Sequence, residues 1–387
     1  MALKESLTEM QIEFLNYCTT TKARTLKMNN LCLPQFMPVG TKGSIKGMTS
    51  KQIHELQCQT ILGNTFHLGL DPGTQVMDEY KGLHNFMKYP THLLTDSGGF
   101  QMVSLEELSE VTEHGVEFVY NGSKTMLTPE KSIDWQNSIG ANIIMQLDDV
   151  VDPTSSPERV EEAVYRSIRW LDRCIKAHKH PESQSLFPIV QGGLNLQHRE
   201  YSITEIVKRN TDGIAIGGLA GKESKDDFWK IVHFCTDLLP KDRPLYVMGI
   251  GYPEDLVVCV ALGADMFDCV YPTRTARFGR VLLDEGQLNI KNGVHKTNFD
   301  PIDKNCACYT CQNYSRSELN LIFGSTNAAR LLTIHNIHYQ MQLMYRMRNA
   351  INNDVFPAFV KNYMLIRYKD QCPAWIKDAM KAVNIIL

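Results

Sequence analysis

An α/β barrel is the fold class that this sequence predicts, and three observations carry it. Short apolar runs recur eight times between residues 33 and 270. Helical patterns fill several of the gaps, which argues for a parallel sheet with helix crossovers. The runs also close on polar residues or glycines: Asp96, Asp148, Gln191, Gly217-Gly218, Met248-Gly249 and Asp268. In a (β/α)8 barrel those strand ends converge on one face, where active sites form. A doubly wound open sheet is the alternative. The chain carries no Gly-x-Gly-x-x-Gly fingerprint or phosphate-cradling P-loop to favour it.

Taken in order, residues 33–40 form the first expected strand, after an N-terminal lead, and it ends at a glycine. Residues 49–59 have helical composition, with Thr49 or Ser50 as the N-cap. Extended runs follow at 60–66, 93–96, 142–148, 186–192, 213–217, 245–249 and 266–270. The helix expected over 156–178 opens on Ser156-Pro157 and spaces Val160, Val164, Ile168 and Leu171 three to four apart. Helices are expected at 196–210 and 224–239 as well. A short one over 253–262 starts at Pro253 and stops at Gly263.

The chain has 387 residues, 43% apolar and 21% charged, with a formal net charge of −3. That is ample for one large barrel domain and describes an ordinary globular protein. The overall charge gives no sign of nucleic-acid binding, so any such site is a local patch. The first thirty residues lack the features of a secretory signal, and no apolar run nears the roughly 20 residues that span a bilayer. Eleven cysteines are scattered except for Cys306, Cys308 and Cys311. The pattern predicts a reducing, cytoplasmic setting with one metal site rather than a disulfide framework.

Asp268 sits inside an apolar run, and Pro272 ends that run. A carboxylate among apolar neighbours must be hydrogen-bonded or used. Arg274, Arg277 and Arg280 follow with no acid among them, which suggests a polyanion lying beside Asp268. Asp96-Ser-Gly-Gly-Phe-Gln101 offers a proton-exchanging carboxylate and a flat ring, Phe100, for a planar ligand. Its plainer reading is a capped turn with Phe100 in the core. Cys306-x-Cys308-x-x-Cys311 with His335 has the spacing of a tetrahedral Zn²⁺ site, and four protein ligands make such a zinc structural. His338, one turn further on, is a rival for the fourth position. From Met341 to the end, seven Lys or Arg stand against three Asp, a modestly basic helical tail that is equally a solvated face.

These residues resemble the queuine tRNA-ribosyltransferase (tRNA-guanine transglycosylase) family, in its eukaryotic catalytic form. The resemblance covers most of the chain. It includes Phe36-Met-Pro-Val-Gly-Thr41, Leu62-Gly-Asn-Thr-Phe-His67, the Asp96 motif, Val190-Gln-Gly192, Ile216-Gly-Gly-Leu219, Met248-Gly-Ile-Gly251, Met266-Phe-Asp-Cys-Val270, Pro272-Thr-Arg274 and the Cys3His set. It implies a TIM barrel with an inserted zinc-binding subdomain, roughly 300–350, ahead of the tail at 341–387. The implied reaction exchanges guanine at tRNA position 34 for queuine. Asp268 would be the nucleophile on the ribose C1′ and Asp96 the general acid/base. Asp148, Gln191, Gly218, Leu219 and Gly249 would line the base site, with Phe100 and Met248 against the ring. Thr273, Arg274, Arg277 and Arg280 would face the anticodon. Bacterial members usually carry a valine at Gly221 and many a pocket cysteine at Val150, so Gly221 implies room for queuine's cyclopentenediol. Lys222 also departs from a glycine often found there. The implied partners are tRNA with guanine at position 34, and a second subunit, either a copy of the chain or an inactive paralogue. The resemblance adds a peripheral association with the mitochondrial outer membrane.

Three rival functions fit parts of the pattern. A non-catalytic paralogue would not need Asp96, Asp148 and Asp268. A carbohydrate glycosidase also uses two carboxylates, but the chain has only four tryptophans, none near these motifs. A catalytic-zinc hydrolase needs an open metal position, which a Cys3His set does not leave.

Overall fold

The computed structural model describes residues 11–99, 110–120, 122–152, 155–219 and 221–387. Nine parallel segments make one sheet. Gln35–Gly40, Thr60–Gly63, His92–Thr95, Ile143–Met145 and Ser185–Phe187 pair in chain order; Ile189–Val190, Ile214–Ile216, Leu245–Val247 and Met266–Cys269 continue it. The ring closes where Met266–Cys269 pairs with Gln35–Gly40, Asp268 opposite Met37. Ser185–Phe187 and Ile189–Val190 are one stave split at Pro188, which has no N–H for a ladder. One half pairs with the fourth strand and the other with the sixth. Each expected run therefore supplies one stave of an eight-fold barrel.

Strand ends differ from expectation in one instructive place. The run at 60–66 stops at Gly63, and Thr65–Leu68 turns into a helix. Asn64 and Thr65 turn away because both bind Asp96 on the next strand.

The interior is filled by Leu62, Leu94, Ile143, Met145, Phe187, Ile189, Ala215, Tyr246 and Met266. An antiparallel sheet of Ile12–Tyr17, Arg24–Met28 and Leu31–Leu33 packs Leu26, Met28, Leu31 and Leu33 into the same cluster and stoppers the strands' N-terminal ends. This stopper lies in what the sequence presented only as a lead. Arg24 fixes it, gripping Asp265 with two hydrogen bonds of 3.0 and 2.6 Å, both residues buried. Leu245 N–H donates to the same carboxylate at 2.8 Å. Such a pair adds little net stability, but losing one partner costs about 3–5 kcal/mol.

The helices form as their spacing requires. Pro157–Ala177 is capped by Ser156 and buries Val160, Ala163, Val164, Ile168, Leu171 and Cys174 along one stripe. Pro253–Ala261 is buried almost throughout. After the last strand come the short helix Tyr271–Arg277, the hairpin Arg280–Leu283/Gly286–Asn289, and helices Tyr309–Asn313 and Arg316–Leu321. The 27-residue helix Thr326–Asn352 then returns to the barrel. Residue 341 lies inside that helix, and Met341, Met344 and Met347 are buried on it. Among the described residues, no helix is long and apolar enough to cross a membrane.

Candidate active site

The eighth strand delivers Asp268 half-buried to the C-terminal mouth. The Tyr246 phenol donates to its Oδ1 at 2.6 Å and the Gly249 N–H donates to the same oxygen at 2.8 Å. Burial pushes the Asp268 carboxyl above its usual range, and these two donors oppose the shift. Burial and the adjacent carboxylate hold the Tyr246 phenol well above its ordinary pKa, so it remains a donor. One carboxylate oxygen is thus fixed, while the other accepts no hydrogen bond among the described residues. Gly249 reaches it through a left-handed turn, φ +78°, which favours glycine.

Asp96 closes the third strand, buried. The Thr65 and Gly98 N–H groups donate to Oδ1 at 2.9 and 3.2 Å, and the Asn64 amide donates to Oδ2. The carboxylate is held on three sides by donors from two elements. The charges of Asp96 and Asp268 both act on Tyr246, which puts the two acids around one mouth.

Asp148, in the loop just past the fourth strand, is pushed up to about 7 by burial, with the neighbouring Asp149 and Asp96 charges adding to it. The Gln191 amide donates to Asp148 Oδ2 at 2.6 Å and opposes the rise. Gln191 Oε1 is buried with no hydrogen-bond partner among the described residues. A buried acceptor without a partner is costly, so this oxygen is suited to a ligand N–H. Gly218 sits against it: a Cβ there would stand 2.5 Å from Gln191 Oε1, and its φ is +68°. Met248 and Leu219 are half-buried and Gly249 is exposed on the same rim. Phe100 lies outside the described residues.

Arg274, Arg277 and Arg280 are exposed and form no ion pair with an acid among the described residues. Thr273 is different. It is buried, and its hydroxyl donates to Val270 O at 2.9 Å, so its side chain folds back onto the helix's first turn instead of joining the arginines at the surface. Gly221 is exposed, Val150 half-buried, and Lys222 pairs with Asp152 at 2.6 Å.

The cysteine ligand atoms and His335 Nδ1 all lie within 4.8 Å of one another. His335 Nδ1 is 3.7, 3.7 and 3.3 Å from the Sγ atoms of Cys306, Cys308 and Cys311. Tetrahedral zinc, with Zn–S near 2.3 Å and Zn–N near 2.0 Å, would set N···S edges of about 3.5 Å, so the set fits such an ion. His335 Nε2 is 2.9 Å from Leu282 O, and a hydrogen bond donated there turns Nδ1 toward the sulfurs. Cys311 N–H donates to Cys308 Sγ at 3.4 Å. His338 is outside this four-residue set.

Residues 19–369 match the family model described as Queuine tRNA-ribosyltransferase. The whole chain aligns with the whole of the queuine tRNA-ribosyltransferase catalytic subunit of Schizosaccharomyces pombe at 49% identity. The chain belongs to the queuine tRNA-ribosyltransferase family. It is also 44% identical to the catalytic subunit of that name from Caenorhabditis elegans, over 95% of this chain and 98% of the relative. The queuine tRNA-ribosyltransferase of Staphylococcus aureus is 44% identical over 85% and 88% of the two chains.

Three residues of this queuine tRNA-ribosyltransferase family member escaped the sequence reading. Tyr246 reads there as one more apolar strand residue. Arg199 is fully buried beside the ends of the fifth and sixth strands, donating to Val190 O, Gly193 O and Gly217 O at 2.8–2.9 Å. It holds the loops of the fifth and sixth strands together. Asn336 is buried beside His335; its amide donates to Pro272 O at 2.9 Å and Arg280 O at 3.0 Å and accepts from Leu282 N–H at 2.9 Å. A polar residue inside an apolar helical stretch was the available signal for Asn336. Arg199 had none, since its sequence neighbours are ordinary surface residues.

Proposed function

We propose that this chain is a tRNA-guanine transglycosylase that replaces guanine at position 34 of tRNA anticodons with queuine by two displacements. The observation that carries the reading is Asp268 at the barrel mouth, oriented through one oxygen by Tyr246 and Gly249, with Asp96 on the same mouth. The free Asp268 oxygen attacks C1′ of the ribose, and the C1′–N9 bond to guanine breaks. The leaving base takes a proton at N9 from Asp96. The incoming base loses its proton to Asp96 and attacks C1′, and the bond to Asp268 breaks. Two inversions retain configuration, as in retaining glycosidases. A base in an unpaired anticodon loop can reach such a pocket without breaking a duplex.

Asp148 and the free Gln191 oxygen are the acceptors for the N–H groups of the purine edge, with the Gly218–Leu219 backbone and Met248 completing the pocket. Gly221, lacking a side chain on the rim, supports queuine rather than a smaller precursor as the inserted base; Gly221→Val should then block queuine while leaving guanine exchange. The Cys3His set would hold a structural zinc, since all four positions come from the protein. The chain would act as a dimer, with itself or with an inactive paralogue.

The deciding experiment incubates the full chain with labelled guanine and an anticodon stem-loop, and follows both exchange and an adduct stable to denaturing electrophoresis. Exchange with an adduct that disappears in Asp268→Asn is expected. Exchange that persists in Asp268→Asn would overturn the assignment. A protein that binds tRNA without exchange would be the non-catalytic paralogue instead.

A further inference from the structure

Phe278 stands between Arg277 and Arg280 and is 63% exposed. A lone exposed phenylalanine is ordinary, but this one is held out on a rigid turn. Its own N–H donates to Thr275 O at 3.0 Å, and Gly279 N–H donates to Ala276 O at 2.9 Å. Gly279 takes φ +81°, and a Cβ there would lie 2.8 Å from the Phe323 ring, so the turn's backbone is pressed against its neighbours. Ile290 N–H donates to Gly279 O at 2.8 Å. Asn336 then clasps both flanks, holding Pro272 O before the turn and Arg280 O after it.

No acid occurs between Arg274 and Leu283, and among the described residues the three arginines pair with none. An exposed ring carried on a fixed backbone turn, with unpaired arginines before and after it in the chain, is the arrangement by which proteins hold single-stranded nucleic acid: charge tracks the phosphates, and the ring receives a base. We propose that Phe278 is a stacking platform for the unpaired nucleotide adjoining the exchanged one. The proposal rests on the transglycosylase reading and adds a contact to it.

The test uses the full chain, Phe278→Ala and Phe278→Tyr, with anticodon stem-loops carrying 2-aminopurine on either side of the target guanine. Fluorescence on binding requires no turnover; labelled-guanine exchange supplies kcat and both KM values. Phe278→Ala should raise the RNA Kd and KM roughly 5- to 100-fold. It should lose the fluorescence change at one flanking position, with kcat and base KM within about twofold of the parent. Phe278→Tyr, which keeps the ring, should restore binding. An RNA Kd unchanged in Phe278→Ala, or the same fluorescence change in both proteins, overturns the proposal. So does a loss of RNA affinity that tracks a change in oligomeric state by sedimentation, which would assign the ring to a subunit contact. If Phe278 governs RNA binding but the parent forms no Asp268-dependent adduct, the transglycosylase reading fails while the platform stands.

Discussion

Tyr246 and Asp268 are neighbours across the seventh and eighth barrel strands, and the Tyr246 phenol donates to Asp268 Oδ1 at 2.6 Å. On the proposed mechanism, this contact keeps a half-buried nucleophile usable. Burial favours the protonated, inert acid; the phenol and the Gly249 N–H favour the carboxylate. Tyr246→Phe removes one of the two donors, so the Asp268 pKa should rise further. The acid limb of the kcat profile should move to higher pH, with kcat at neutral pH falling about 10- to 100-fold, the worth of a hydrogen bond to a charged group. An unmoved acid limb in Tyr246→Phe would contradict this role.

Asp148 supplies a second pH dependence. Its pKa is pushed up to about 7, so below that pH it is largely protonated, and its charge and one acceptor oxygen are lost to the base's N–H groups. The KM for the base should fall as pH rises through about 7 and then level off. Stability of the base-free protein should run the opposite way. The folded state retains this proton where the unfolded chain has lost it, so stability declines as pH rises from the ordinary aspartate range toward 7. Asp148→Asn should therefore melt higher than the parent at pH 8 while losing base affinity. Melting curves across pH check the sign.

Gly218 tests the pocket's shape. Alanine there must accommodate both φ +68° and a Cβ 2.5 Å from Gln191 Oε1. The cost should be about 1–3 kcal/mol, read as a 5- to 150-fold rise in base KM, roughly. The RNA Kd should stay near its parent value, because the strain falls on the base site alone.

The Cys3His set makes a prediction about RNA as well as stability. His335 and Asn336 are consecutive, and between them they hold Leu282 and both flanks of the arginine-bearing helix. Removing a bound metal, or making Cys308→Ser, should lower the melting temperature and loosen this clasp. Asn336→Ala should raise the RNA KM about tenfold, several buried hydrogen bonds being lost, with the base KM unchanged. Metal analysis of the purified protein, with thermal melting before and after chelation, checks the first part.

Much of this molecule could be read from its sequence where one local pattern suffices. Each of the eight apolar runs became a stave, and Asp96, Asp148, Gln191, Gly218, Met248 and Asp268 came together because parallel strands end on one face. The N-terminal stopper was missed because Ile12–Tyr17 sets Leu15 and Tyr17 on its exposed side, which erases the polar–apolar alternation of a half-buried strand. Thr65 and Phe66 read as strand but open a helix, because Asn64 and Thr65 are diverted by Asp96, a partner 31 or 32 residues away. Arg199 and Asn336 act on carbonyls brought near only by the fold. Thr273 was grouped with its arginine neighbours, but one residue's rotation around a helix separates buried from exposed.

The stopper at the barrel's far end has a consequence for the order of events. With Leu26, Met28, Leu31 and Leu33 wedged beneath a filled interior, the described residues of the barrel leave no back door. On the proposed reaction, the spent base and its replacement must pass through a single entrance, while the RNA stays moored across that entrance by its bond to Asp268. The doorway must therefore be wide enough for a base to slip out beside a docked anticodon. Crowding at that shared threshold, more than bond breaking itself, is a natural place for turnover to be governed.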